Sequence, residues 1–312
     1  MSVLQIFLLG KLHVQRDEQT VAGFDTRKVQ ELFCYLLLYR DRPHPREALA
    51  DLLWPKSTTA QSLKYLRQAL WQLQTALGSA GAADAASVIL ADSEWVRLNP
   101  KADFWLDVAE FERGCAQVHG IPGGELDKQG VQRVQEALKL YRGDLLQGWY
   151  QDWCLFERER LQRLYLGLLE KRIAFCEAHG QYETGLECGN CALRYDVAHE
   201  RTHRRLMRLH YLAGDRTAAL RQYERCVNIL RQELNVAPSK RTLALYERIR
   251  SDHPLSSNGT TPQNKGKAPG EISPPLDQVL HHLQRLQTAF AQTQRQLQDV
   301  IQAIEAGLTG RD

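Results

Sequence analysis

The stretch Thr58 to Leu77, TTAQSLKYLRQALWQLQTAL, constrains this chain more than any other. Leu63, Leu66, Leu70, Leu73 and Leu77 recur at alternating spacings of three and four, which predicts a helix whose single apolar stripe must be buried against a core. The opposite face then carries Gln61, Lys64, Tyr65, Gln68 and Gln72, with Arg67 and Trp71 on its shoulder. Glutamine amides pair bidentately with adenine, and Lys or Arg with guanine or phosphate, so the face suits a nucleic-acid groove. An ordinary surface helix also presents a solvated Gln/Lys face, so the neighbouring elements have to decide.

Upstream, residues 3–22 read as short strands: VLQIFLL, KLHVQ and a third piece near Thr20 and Val21, separated by Gly10 and the polar turn Arg16 to Gln19. The period then changes. Arg27 to Tyr39, RKVQELFCYLLLY, aligns Val29, Leu32, Phe33, Leu36 and Leu37 on one helical side, and Pro43 and Pro45 stop it. A second helix is expected from Arg46 to Trp54, ended by Pro55, before the leucine-striped helix. After a Gly/Ala-rich loop at 78–86, VILADSEWVRL alternates on both sides of Asp92, Ser93 and Glu94 and predicts a β-hairpin.

From Ala102 to about Arg250 the pattern is helical. Gly180 and Gly214 lie one tetratricopeptide period of 34 residues apart, and the same offset carries Leu186 onto Leu220, Gly185 onto Ala219 and Ala192 onto Cys226. Residues 251–275 are rich in Pro, Gly, Ser and Asn, the composition of a flexible linker. Beyond them the apolar residues from Leu276 to Ile304 alternate by three and four, which predicts a coiled-coil seam over 276–308.

Strands, three helices and a hairpin follow the order of a winged helix-turn-helix with an amino-terminal sheet. The segments LLGKLHV, RKVQELFCYLLLYRDRPHPREALADLLWP and LRQALWQLQTAL resemble the amino-terminal domain of the Streptomyces antibiotic regulatory protein family of bacterial transcriptional activators. DVAEFERG, LYRGDLLQGWYQDW, ERERLQRLY and the run from His199 to Ile249 are similar to the bacterial transcriptional activator domain that follows it in that family. The resemblance implies a mainly α fold with a small β component: a winged helix-turn-helix over 1–101 and a tetratricopeptide-like all-α repeat domain over 102–250. The 251–275 linker and a coiled-coil helix over 276–308 complete the expected chain.

The function implied is that of a sequence-specific activator, with Thr58 to Leu77 in the major groove of double-stranded promoter DNA and the hairpin near the adjoining minor groove. Gln61, Lys64, Tyr65, Arg67, Gln68, Gln72 and Arg97 are the expected DNA contacts. RNA polymerase or a second copy is the implied partner of the helical repeats, and the carboxyl-terminal heptads are expected to self-associate. Two departures stand out: Leu73-Gln74 replaces the Leu-Arg pair common at this helix end, and Asp92 and Glu94 put negative charge at the hairpin tip. They leave room for a rival reading, a tetratricopeptide adaptor that has lost DNA binding.

Composition narrows the field further. A chain of 312 residues with 43% hydrophobic and 25% charged residues has material for two or three domains, and a net charge of +3 neither demands nor excludes nucleic acid. Met1 to Gly10 lacks a basic leader, and no apolar run is long enough to span a bilayer, so a cytoplasmic location without membrane contact is expected. Seven cysteines in helical stretches suit reduced thiols.

Cys188 and Cys191 form a C-x-x-C downstream of Cys176 and His179, a conceivable zinc or redox site, but that spacing alone is a weak signal. Their 34-residue counterparts, Gln222 and Arg225, suggest thiols on an exposed or partner-facing side of the helix. His203 and His210 share a helix with Arg201, Arg204, Arg205 and Arg208, read as a solvated face balanced by glutamates in preference to a phosphate track. Trp149 and Trp153 are expected between packed helices. No phosphate loop, nucleophile elbow or H-E-x-x-H occurs, so no cofactor, metal or catalytic role is assigned and an enzyme is not expected.

Overall fold

The amino-terminal alternation produces strands β1 (Leu4–Phe7), β2 (His13–Arg16) and β3 (Gln19–Thr20), paired antiparallel in sequence order. Asp17 and Glu18 make the β2–β3 turn at φ +49° and +65°, the left-handed values a two-residue hairpin needs. The computed structural model describes residues 4–23, 26–78 and 87–253, all within one compact unit, Met1–Asn258. Apart from 251–253, the expected linker and heptad segment lie outside the described residues.

Helices α1 (Arg27–Leu38), α2 (Arg46–Leu53) and α3 (Thr59–Ala76) follow within a residue or so of their expected limits, because Pro43, Pro45 and Pro55 interrupt the helical period between them. The hairpin consists of β5 (Ile89–Ala91) and β6 (Trp95–Leu98). Two strands have no counterpart in the sequence reading. β4 (His44–Pro45) pairs with β6, and β7 (Phe104–Leu106) pairs parallel with β1, with Leu4 opposite Phe104 and Ile6 opposite Leu106. The sheets therefore run β3-β2-β1-β7 and β4-β6-β5. The expected start of the helical region at Ala102 is corrected by β7; three residues are too few to show a period, and the pairing partner lies about a hundred residues away.

Helix α4 (Asp107–Gln117) begins directly after β7, and its first residue ties the two halves of the chain together. The buried Asp107 carboxylate accepts the Leu8 amide on both oxygens at 2.9 and 2.8 Å, the Leu9 amide at 2.8 Å and the Val108 amide at 2.7 Å. Burial pushes its pKa up to about 6, against the pull of those donors.

The segment before the long helix α6 (Asp152–Ala178) is bound to the amino-terminal sheet as well. Leu146 N–H donates to Leu8 O at 2.9 Å and Gln147 N–H to Gly10 O at 2.7 Å. Arg158 of α6 donates to the carbonyls of Leu145, Leu146 and Trp149. Trp149 is buried with the Arg27 guanidinium 3.7 Å above its ring, and Trp153 packs edge-on against both Trp149 and Tyr35, the interhelical packing expected of this pair. Gln151 Nε2 reaches the buried Glu31 at 2.6 Å. One hydrophobic core accordingly runs from Leu4 and Ile6 through Phe33 and Leu37 to Phe111 and Leu161, across the division expected at residue 101.

The rest is helical: α5 (Lys128–Leu140), α6, α7 (Tyr182–Leu193), α8 (Glu200–Leu212), α9 (Arg216–Leu234) and α10 (Lys240–Arg250). Gly180 and Gly214, at φ +69° and +85°, make equivalent turns before α7 and α9. The small residues that recur at the 34-residue offset sit where helices press closest. A Cβ added at Gly185 would lie 2.9 Å from Leu209 Cδ1, one at Gly189 would run into Leu206, and Ala219 and Cys226 are fully buried. No helix among the described residues is long and apolar enough to cross a membrane.

Candidate nucleic-acid interface

Helix α3 has no Gly or Pro in eighteen residues and packs its leucines inward: Leu66, Leu70, Leu73 and, just past its end, Leu77 are buried. Ser62 and Ala69 are buried beside them, residues the leucine stripe did not include. Leu63 departs from its expected place. It is only half-buried and lines a cleft, because the helix is covered by α1 and α2 on its inner side and opens toward the hairpin near this turn.

Gln61, Lys64, Tyr65, Arg67 and Gln68 are all exposed, and Gln72 is half-buried. The face is centred differently from the sequence reading. Trp71, expected on the shoulder, is 63% exposed and follows Lys64 by seven residues, which places it roughly 20° round the axis from Lys64. Tyr65 instead lies to one flank, its ring 6.0 Å from that of Trp54 at the end of α2. Lys64, Gln68 and Trp71 thus form the middle of the outward face, with Arg67 on the hairpin side. Gln74 points away from it, half-buried with its amide 3.5 Å from the Ile89 carbonyl of β5, so this position is turned to the hairpin.

A cleft of about 640 Å³ separates α3 from the hairpin, lined by Pro45, Arg46, Glu47, Leu63, Arg67 and the tip residues Asp92 to Trp95. Arg46, the first residue of α2, bridges it to the hairpin. Its backbone N–H donates to Glu94 O at 2.8 Å and its Nη1 to Asp92 O at 2.8 Å, so the hairpin tip is latched to α2. Asp92 Oδ1 accepts the Glu94 and Trp95 amides at 2.9 and 2.7 Å. These amides hold the Asp92 carboxyl below its ordinary pKa, and the carboxylate is largely spent inside the turn. Burial, and then the charge of Arg67, push the Arg46 pKa down; among the described residues neither guanidinium makes an ion pair. Arg97 is exposed on β6 opposite Leu90.

Arg46 is absent from the sequence-derived site. Its position after Pro45 predicts a helix start, but nothing local says that this helix start meets a hairpin 46 residues downstream.

The other candidate residues do not converge. Cys188 and Cys191 are half-buried, and burial beside Cys176 pushes the Cys188 thiol up to about 12. The exposed side expected from their repeat counterparts is corrected by Gln222, which is buried with its amide 2.8 Å from His203 Nδ1. His179 stacks on Phe175 at 3.9 Å. Among the described residues, no group of three His, Cys, Asp or Glu side chains is placed to hold a metal. On α8, Arg201 meets Glu170 and Arg208 meets Glu177, while His203 is buried against Val197 O, so this helix is braced to its neighbours.

Residues 106–250 match the bacterial transcriptional activator domain. The chain is 25% identical over 264 residues to the transcriptional regulatory protein EmbR of Mycobacterium tuberculosis, an alignment covering 81% of this chain and 65% of the relative. It is 25% identical over 247 residues to the regulatory protein AfsR of Streptomyces coelicolor, covering 79% of this chain and 24% of the relative. The chain thus spans less than two thirds of the length of these relatives. Among solved structures, Mycobacterium tuberculosis EmbR in complex with a low affinity phosphopeptide superimposes with a TM-score of 0.63 at 24% identity, over 82% of this chain and 67% of the other, a likeness of fold.

Proposed function

We infer that this chain is a member of the Streptomyces antibiotic regulatory protein type of bacterial transcriptional activators and a sequence-specific DNA-binding regulator acting as an activator, a reading supported by the activator-domain match and by the two regulators it resembles. One observation carries the reading: the middle of α3 presents Lys64, Arg67 and Gln68 to solvent while four leucines hold its other side in the core. In this reading α1 to α3 and the β5–β6 hairpin are a winged helix-turn-helix, with α3 in the major groove and the hairpin at the neighbouring minor groove. Gln68 and Gln61 have the donor and acceptor pair that adenine requires, and Lys64 and Arg67 suit guanine edges or phosphates. Gln72 and Tyr65, on the flank, and Arg97, on the wing, are assigned to the sugar-phosphate backbone. The mechanism is positional and uses no catalytic group or cofactor.

The helical region that begins with α4 at Asp107 is proposed to make the protein contacts, to RNA polymerase or to a second copy on an adjacent DNA repeat. Its tetratricopeptide-like character is supported by the matched turns at Gly180 and Gly214 and the matched buried positions of α7 and α9. The heptads over 276–308 are proposed to self-associate. Ending the chain at Pro254 is then expected to lower the mass measured by analytical ultracentrifugation to that of one copy; an oligomeric mass equal to that of the full chain removes the heptads from self-association.

The functional reading is tested by incubating the full chain with random genomic fragments at moderate salt and sequencing what is retained. A shared repeated motif is expected, since specific binding exceeds non-specific binding by roughly 10³-fold or more. Retained fragments with no common motif would instead support an adaptor, the reading that Glu47, Asp92 and Glu94 around the cleft favour.

A further inference from the structure

Trp71 is 63% exposed, the highest exposure of any large apolar side chain on α3. Isolated apolar side chains on a surface are ordinary and carry no meaning by themselves. The setting of this one is different. It lies among Lys64, Arg67 and Gln68 in the middle of the outward face, whereas Tyr65 is on the flank and has a ring neighbour in Trp54. Among the described residues no aromatic ring or cation packs on the Trp71 indole; the interaction at this residue is a backbone one, its carbonyl accepting Thr75 Oγ1 at 2.8 Å. An indole offers one N–H donor and a large apolar area, and water solvates the latter poorly.

We propose that Trp71 is a specificity-determining residue that seats against the C5-methyl groups of thymine in the major groove. Chemical complementarity carries this assignment, which rests on the DNA-binding reading above. Lys64, Arg67 and Gln68 can satisfy the hydrogen-bonding edges of bases and the phosphates, but an apolar group in their midst needs an apolar patch on the same groove wall. In B-form DNA the thymine methyl is that patch. A helix inserted with Lys64 and Gln68 on base edges carries Trp71 into the same groove, about two turns along, or roughly 10 Å.

The test uses the full chain and a duplex obtained by selection from a random-sequence library with the wild-type protein. Each thymine of the selected duplex is replaced in turn by deoxyuridine, which keeps O4 and the Watson–Crick edge and removes only the methyl. One or two positions are expected to weaken wild-type binding about fourfold per methyl, the effect of losing one buried carbon group. In Trp71→Ala the same replacements should have no effect, and in Trp71→Leu a partial one, since both variants alter an exposed position and fold alike. A deoxyuridine penalty that persists in Trp71→Ala assigns the methyl to another residue and overturns the proposal. So does the absence of any penalty in the wild type, in which case DNA recognition stands on the selected motif and the indole is left to a protein partner. If selection enriches no sequence, the DNA-binding reading itself fails and the proposal falls with it.

Discussion

Replacing Lys64 and Gln68 together by alanine should reduce binding to the selected motif to the level of random DNA while leaving the thermal transition where it was. Both side chains are exposed in the middle of the α3 face, and neither makes a hydrogen bond or ion pair within the described residues. Each well-placed base contact discriminates by about 1–3 kcal/mol, so losing two removes about 2–6 kcal/mol, or roughly 30-fold to 10⁴-fold in affinity. Surface replacements of this kind shift stability by only about 0.5 kcal/mol. Footprinting and calorimetry on the same preparation give the two readouts. If Lys64 holds a phosphate, the salt dependence of binding also becomes shallower by about one ion in Lys64→Ala. A footprint equal to that of the wild type would remove α3 as the reading helix.

Asp107→Ala is expected to destabilise the fold strongly. It leaves the Leu8 and Leu9 amides, both in buried residues, without their acceptor. Each buried orphan donor costs about 1–3 kcal/mol, so the loss of two is about 2–6 kcal/mol and the melting temperature falls by roughly 10 °C. The loss should depend on pH. Burial raises the Asp107 pKa from 3.8 to about 6, so the folded protein binds this proton more tightly than the unfolded chain. The resulting stabilisation is complete below pH 3.8 and disappears as pH rises through 6. Over that window it amounts to about 3 kcal/mol, since each tenfold gain in proton affinity corresponds to about 1.4 kcal/mol. The deficit of the alanine variant should therefore be larger at pH 5 than at pH 8 in thermal melts against the wild type. Asp107→Asn, which retains one carbonyl acceptor and cannot titrate, should lose less stability than the alanine variant. A deficit that grows from pH 5 to pH 8 would contradict the protonation argument.

The α3 face and the Asp107 bracket differ in how much of each the linear chain reveals. The α3 face was legible, because a helix of alternating three and four spacing exposes whatever lies opposite its leucines, and burial of four of those leucines follows from the same rule. The role of Asp107 was not legible. Its partners, Leu8 and Leu9, lie nearly a hundred residues away, and an acidic residue at the start of a helix looks locally like any favourable helix beginning. The same holds for Arg46, whose grip on the hairpin tip turns an acidic sequence, Asp-Ser-Glu, into a turn in which one carboxylate is used internally. The small residues at both ends of the 34-residue offset are accounted for by packing, since Gly185 lies against Leu209 and Ala219 is fully buried. It misled for Cys188, because the polarity of Gln222 reflects a buried bond to His203 and not contact with solvent.

Periodicity alone determined the three helices, the hairpin, the helical second half and the outward set of Lys64, Arg67 and Gln68, all of which depend on residues a few positions apart. Tertiary structure alone decided that β7 joins the first sheet, that Asp107 and the Leu145 to Gln151 segment weld that sheet to the helical half, and that Arg46 latches the hairpin tip to α2. Such features arise from pairings between distant segments, and their energy depends on which groups burial leaves without water. A local pattern holds no record of that partner until the chain has closed around it.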